Sequence, residues 1–268
     1  MPKNLNLIRP EESDIKYKII KFPDGEPHLV FEEELDRKNS INITCRICNS
    51  TDLFILMQIG DILNRQGIEF DLQILYLMSM RMDRVISFEE SYSLKIIADV
   101  INNIKPSAVI VLEPHSTKTR QLIKKYWGDL QINKPIFKKH IICLPDNGAV
   151  ERMGCGRNTL TCSKIRNTLT GELCDFTINN PKVLEEHPDC GIAVIDDLCD
   201  GGGTFAGIAK ELRKLDSKRK LSIYVTHMVN PKGIQTLSEN YDEVYFTNSY
   251  KDWQKEELPN NVTVIEIV

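Results

Sequence analysis

Apolar runs rich in β-branched residues recur along the chain, and between them apolar positions fall three or four residues apart. The runs predict strands at 41–47 (INITCRI), 71–77 (DLQILYL), 108–113 (AVIVLE), 140–146 (HIICLPD), 191–196 (GIAVID), 221–227 (LSIYVTH), 243–248 (EVYFTN) and 262–268 (VTVIEIV). The helix-period stretches predict helices over 52–67, 91–104, 117–127, 147–153, 204–215 and 231–240. Continuous apolar strands separated by helices are the pattern of an α/β fold, a mainly parallel sheet with helices on both faces. Eight strands suit one sheet or two. WGDLQINKP (127–135) breaks the alternation near the middle, so two α/β domains of similar size are expected, 1–134 and 135–268. The segment 154–181 is polar, glycine-bearing and weakly periodic, and reads as a mobile active-site loop or a disordered one. RNTLT occurs within it at 157–161 and 166–170, which reads as a small tandem slip in a loop.

With 268 residues and 41% apolar content, the chain can bury one large core or two smaller ones. Acids and bases are mixed along it and the net charge is −4, so it carries no electrostatic footprint of a nucleic-acid or membrane-surface binder. No apolar run reaches the length of a membrane span. The start, MPKNLNLIRPEESD, lacks the apolar core of a secretory signal. The eight cysteines are spread thinly, several inside apolar runs, as in a reduced, cytoplasmic protein. Cys45 and Cys48 have CxxC spacing, but no second ligand pair accompanies them, and structural cysteines are the expected reading.

The most informative stretch is AVIDDLCDGGGTFAGIAKEL (193–212). GIAVID reads as a buried strand, and Phe205, Ile208, Ala209, Leu212 and Leu215 form one stripe of a helix. Asp196 to Thr204 therefore joins the carboxyl end of a strand to a helix start, where open α/β sheets bind ligands. Gly201, Gly202 and Gly203 permit a tight turn that brings N–H groups to an anion, and the helix N-terminus and Thr204 hydroxyl add to it. Acids repel phosphate, so Asp196, Asp197 and Asp200 need another partner: vicinal hydroxyls, or Mg²⁺. Hydroxyls on one side and phosphate on the other describe a ribose 5-phosphate.

VIDDLCDGGGT resembles the phosphoribosyl-diphosphate-binding loop shared by type I phosphoribosyltransferases and ribose-phosphate pyrophosphokinases. The resemblance implies two tandem phosphoribosyltransferase-like domains. The N-terminal one would serve ATP, and the C-terminal one would carry the ribose-phosphate loop. Further segments match the pyrophosphokinase branch in its order. KFPDGE (21–26) resembles an ATP-site segment, implying that Phe22, Asp24 and Glu26 contact the nucleotide. The same letters by themselves describe an ordinary turn before the strand HLVF. LMSMRMDR (77–84) resembles a stretch ending Arg-Gln-Asp-Arg, with Arg81 toward the ATP phosphates and Asp83 ordering the loop; Met82 replaces the family's Gln. VIVLEPHS (109–116) resembles a strand ending Asp-Leu-His, with Glu113 in the acidic place and His115 as a Mg²⁺ ligand. CLPDNGAVER (143–152) resembles the pyrophosphate loop, with Asp146 toward Mg²⁺ and Gly148 allowing close approach of the diphosphate. SKIRN (163–167) resembles the start of the catalytic loop, with Lys164 and Arg166 meeting the transferred charge.

The implied activity is Mg²⁺-dependent transfer of the β,γ-diphosphoryl group of ATP to the anomeric hydroxyl of a 5-phosphorylated ribose, with release of AMP. The implied partners are ATP, the phosphorylated ribose and further copies of the chain. Gly201 stands where the family usually has Thr, which opens room beside the 5-phosphate; a larger acceptor such as ADP-ribose is a second expectation. The alternatives are a phosphoribosyltransferase that consumes phosphoribosyl diphosphate, and a non-catalytic nucleotide-binding regulatory paralogue.

Overall fold

The computed structural model describes residues 2–131, 139–166 and 173–268, with backbone alone for 164–166 and 173–175. The chain divides into two compact units, 1–131 together with Val268, and 132–267. Among the described residues no helix is long and apolar enough to cross a membrane.

The first unit holds strands β1 (Lys3–Asn6), β2 (Tyr17–Lys21), β3 (Pro27–Phe31), β4 (Ile41–Ile47), β5 (Phe70–Leu77), β6 (Ala108–Leu112) and β7 (Tyr126–Leu130). Its helices are α1 (Ser50–Gln66), α2 (Ser93–Ile104) and α3 (Lys118–Leu122). A parallel sheet runs in the order β1-β4-β5-β6-β7, and β2 and β3 form a separate antiparallel hairpin. β4 buries Ile41, Ile43, Cys45 and Ile47, every second residue. Asn49 caps α1 by accepting from Asp52 N at 3.1 Å. Gly67, at φ 70°, ends it in the left-handed conformation. α1 and α2 approach closely at Gly60, where a methyl group would lie 2.2 Å from Ile104 Cγ2.

The second unit holds β8 (His140–Leu144), β9 (Thr159–Arg166), β10 (Leu173–Asn179), β11 (Gly191–Cys199), β12 (Leu221–Met228), β13 (Glu243–Thr247) and β14 (Val262–Ile265). Its helices are α4 (Asn147–Met153), α5 (Lys182–Glu186), α6 (Gly203–Leu215) and α7 (Pro231–Asn240). The sheet order is β10-β9-β8-β11-β12-β13-β14, parallel except for the antiparallel β9–β10 pair. β12 is buried at every position, as a strand covered on both faces must be. After β8 the chain builds outward to one side, then returns to lay down β11 on the other. The reversal leaves a crevice beyond the carboxyl ends of β8 and β11. Strand order in the first unit's sheet rises steadily and has no such reversal.

All eight expected strands form, within a few residues of the expected ends. Two expectations fail. Most of 154–181 is an antiparallel pair rather than an irregular loop. Its polar composition reflects one solvated face: Leu160 and Cys162 turn inward, while Asn179 Nδ2 donates to Thr161 Oγ1 and Ser163 Oγ at 3.3 and 2.9 Å. The first RNTLT copy runs into β9; most of the second, at 167–170, lies outside the described residues. The helix expected over 117–127 stops at Leu122, and Tyr126–Leu130 forms an edge strand. Tyr126 and Trp127 favour a strand. Asp129 accepts from both Tyr126 Oη and Arg120 Nη2, which ties the strand back to α3.

β10 packs onto α6 at a notch. A methyl group at Gly207 would sit 2.3 Å from Phe176 Cε2, so the absent side chain is what admits the ring. Elsewhere one buried guanidinium gathers loose backbone. Arg219 donates to the carbonyls of His187, Cys190 and Leu184 at 2.6, 2.8 and 3.0 Å. Removing it strands three acceptors around α5. Arg219→Met is expected to lower stability by about 3 kcal/mol, measured by chemical denaturation.

Candidate active site

The crevice between β8 and β11 collects Asp146, Arg152, Asp196 and Asp197. β11 delivers Asp196 and Asp197 at its carboxyl end. Asp146, after β8, caps α4 by accepting from Ala149 N at 3.0 Å. Arg152, in the last turn of α4, reaches back across the first turn. A methyl group at Gly148 would lie 3.2 Å from Arg152 Nη1 and 3.3 Å from Asp146 Oδ1, so the glycine leaves room for the guanidinium. Arg152 Nη2 lies 2.5 Å from Asp196 Oδ1 and 2.6 Å from Asp197 Oδ1. Asp197 N donates to Asp196 Oδ1 at 2.9 Å.

The acids are not alike in exposure: the Asp197 side chain is 3% exposed and that of Asp196 13%. Burial pushes the Asp196 carboxyl well above the usual range, and the charges of Asp197 and Asp146 push the same way, against Arg152. A cation or a set of hydroxyl donors would relieve that strain.

The turn that follows divides its glycines by task. Gly202, at φ 79°, is the position that demands one. It also lets α7 in, since a methyl group there would be 2.9 Å from Thr236 Cβ. Gly233 of α7 approaches even closer, to within 2.0 Å of the Asp200 carbonyl oxygen for an added methyl group. Asn230, the cap of α7, donates to Asp200 Oδ1 at 2.9 Å. Gly201 and Gly203 are different: a methyl group on either would meet nothing within 4 Å. The turn is thus held from behind by α7 and open in front, with Thr204 in the first turn of α6. Cys199 braces it from below, its thiol pushed up to about 12, chiefly by burial.

In the first unit Asp83 and His115 come together beyond β5 and β6. Burial raises the Asp83 pKa, but bonds from Arg84 and Ser116 and the charges of Arg84 and His115 outweigh it, so the carboxyl stays below its usual range. Glu113, buried, holds a left-handed conformation at φ 32° just before His115, and its N–H donates to Leu130 O at 3.2 Å. Arg81 and Met82 are exposed. Phe22, Asp24 and Glu26 form the tip of the β2–β3 hairpin: Phe22 N donates to Glu26 O, and Asp24 Oδ1 accepts from Glu26 N. The hairpin stands on α1, where Gln58 accepts from Leu29 N at 2.7 Å and donates to Pro27 O at 2.8 Å. The Phe22 ring lies 5.9 Å from that of His28. Lys164 and Arg166 sit on β9 by their backbone, Lys164 opposite Phe176; their side chains lie outside the described residues.

Among the described residues no group of three or more His, Cys, Asp or Glu side chains is arranged to hold a metal by itself. Mg²⁺ asks less: one or two carboxylates, with water and substrate phosphate completing its shell. Asp146, Asp196 and Asp197 supply hard oxygen donors of that kind, so the residues fit the ion. Cys45 and Cys48 do not behave as a reactive pair. Both thiols are pushed up to about 12, first by burial and then by Asp52.

The ribose-phosphate pyrophosphokinase of Pyrococcus furiosus is 26% identical over 269 residues, 93% of this chain and 88% of that one. That of Mycoplasma genitalium is 28% identical over 237 residues, 83% of this chain and 70% of its own. The crystal structure of phosphoribosylpyrophosphate synthetase from Mycobacterium smegmatis superposes with a TM-score of 0.77 at 18% identity, covering 97% of this chain and 88% of that one. The chain is similar to the ribose-phosphate pyrophosphokinases. At that coverage the likeness in fold extends over both units. No protein-family model matches the chain.

Arg152 is the residue that motif reading passes over. It lies inside CLPDNGAVER, four residues after Gly148, which on a helix places it over the same face. That spacing, together with a glycine at the lower position, was the available signal.

Two outcomes follow from the loop and the thiols. Gly202→Ala is expected to cost about 2 kcal/mol or more, from its positive φ and the contact with Thr236, whereas Gly201→Ala stays within about 0.5 kcal/mol; thermal denaturation compares them. A thiol reagent at neutral pH is expected to modify the exposed Cys155 and spare Cys45 and Cys48 in the native protein, since a thiolate is the attacking form. Mass mapping of the modified cysteines reads it.

Proposed function

We propose that the chain is a ribose-phosphate diphosphokinase that takes ATP and a 5-phosphorylated ribose and acts in nucleotide biosynthesis. One observation carries the reading. An acid pair at the carboxyl end of β11 runs directly into a glycine turn that opens forward, at the point where strand order reverses. A diol acceptor set and an anion cradle that close together fit one sugar phosphate.

In the reaction the anomeric oxygen of the sugar attacks the β-phosphorus of ATP. The bond from that phosphorus to the bridging α,β-oxygen breaks, AMP leaves, and the anomeric proton passes to solvent. The protein's work is positioning and charge neutralisation. Asp196 and Asp197 orient the sugar through its hydroxyls. Asp200 stays tied to Asn230 and fixes the turn. Gly201, Gly202, Gly203 and Thr204 present N–H and hydroxyl donors to the 5-phosphate. Phe22, Asp24, Glu26 and Arg81 bind ATP, and Asp83 steadies the segment that carries Arg81. Lys164 and Arg166 meet the transferred diphosphate. Asp146 in the second unit and His115 in the first would each offer a ligand to Mg²⁺, which would supply neutralisation of phosphate charge. We expect a cytoplasmic homo-oligomer that takes up neither nucleic acid nor membrane.

Ribose 5-phosphate is the first acceptor. The space in front of Gly201 favours a second, one with a 5-substituent larger than phosphate such as ADP-ribose, since a methyl group added there meets nothing within 4 Å. Chromatography of ATP incubated with Mg²⁺, protein and either acceptor tests both. AMP formed only when an acceptor is present supports the diphosphokinase. AMP absent, with phosphoribosyl diphosphate consumed in the presence of a base, overturns it in favour of a phosphoribosyltransferase. Equal or better turnover with ADP-ribose supports the wider acceptor range. Lys164→Ala is expected to lower kcat by about 10²-fold or more, the loss typical of one donor to developing charge. Retained turnover in that variant removes Lys164 from the mechanism.

A further inference from the structure

Arg152 has no part in the mechanism above, yet among the described residues it is the cation in contact with both members of the acid pair. Two like charges held this close repel each other. Left alone, the carboxylates would splay, and a vicinal diol needs two acceptors at a fixed separation. One nitrogen between Asp196 Oδ1 and Asp197 Oδ1 fixes how far apart those oxygens stand. The three side chains are 18%, 13% and 3% exposed, so water does little to screen the arrangement. The guanidinium is itself anchored. α4 is capped at its start by Asp146, and Gly148 leaves the room that Nη1 occupies beside the cap.

The geometry points to Arg152 as a positioning residue that presents Asp196 and Asp197 to the hydroxyls of the ribosyl acceptor. The inference rests on the function proposed above and assigns the acceptor side of that site to a residue outside both the acid pair and the glycine turn. Arg152 acts through the carboxylates, so its loss falls on the acceptor and not on ATP. A guanidinium that met the transferred diphosphate directly would act on kcat or on ATP instead.

The test measures AMP formation by wild type, Arg152→Met and Arg152→Lys, at varied ribose 5-phosphate and at varied ATP. Arg152→Met is expected to raise the KM for ribose 5-phosphate by about tenfold or more and to leave the KM for ATP within about twofold. Arg152→Lys keeps the charge but loses the rigid fork, and is expected to fall between. An unchanged acceptor KM, an equal shift in both KM values, or a loss confined to kcat overturns the inference. Should Arg152→Met fail to fold, as its melting curve reports, Arg152→Lys decides. A selective rise in acceptor KM of about threefold or more supports the role, and no selective rise overturns it. A wild type that forms no AMP with either ribose 5-phosphate or ADP-ribose overturns the proposed function and this role together. An active wild type with unaltered variants overturns this role alone.

Discussion

Two carboxylates side by side at a strand end, nearly out of water, are the constraint around which the second unit is arranged. Such a pair is unfavourable in isolation, because burial and mutual repulsion both act against its charge. It persists because several elements converge on it. α4 brings a guanidinium, β8 ends in an acid committed to capping that helix, and a backbone N–H of the pair turns back onto its own neighbour. A helix of seven residues would be marginal alone. Here it is fastened at its first turn by the cap and at its last by the ion pair.

The sheet explains why these parts meet. Parallel strands deliver the loops that leave their carboxyl ends to one edge, and a reversal of strand order parts two neighbouring loops so that a crevice opens between them. β8 and β11 are that pair of neighbours. The first unit has the same parallel construction without a reversal, and its polar residues gather differently. Asp83, Arg84, Ser116 and His115 form a tight local cluster beyond β5 and β6, while the segment at 22–26 occupies a hairpin with its own support on α1.

Much of this was legible in the chain. The eight continuous apolar runs became strands because burial on both faces leaves no other use for Val, Ile and Leu at successive positions. The strand–acid–glycine–helix order placed the crevice on β11. What escaped reading has physical reasons. β1 has four residues, two of them asparagines, and exists because β4 offers a parallel edge. β9 and β10 read as polar because side chains such as Ser163 and Thr177 face solvent, and a polar composition with glycines nearby looks the same in a loop. α3 yields to β7 where aromatic residues meet a charged brace that only the folded chain assembles. Arg152 was hidden because a cation on a short helix is ordinary until its partners, 44 and 45 residues later, are brought beside it.

The uneven roles of the three glycines have a consequence for how such a protein can diversify. Gly202 is pinned by its own dihedral and by α7, so the path of the main chain through the turn is set by the rest of the fold. Gly201 faces vacant volume, so a side chain can be gained or lost there while that path stays put. The chemistry that this turn presents at its open side can therefore drift through a single codon, decoupled from the architecture that holds its path.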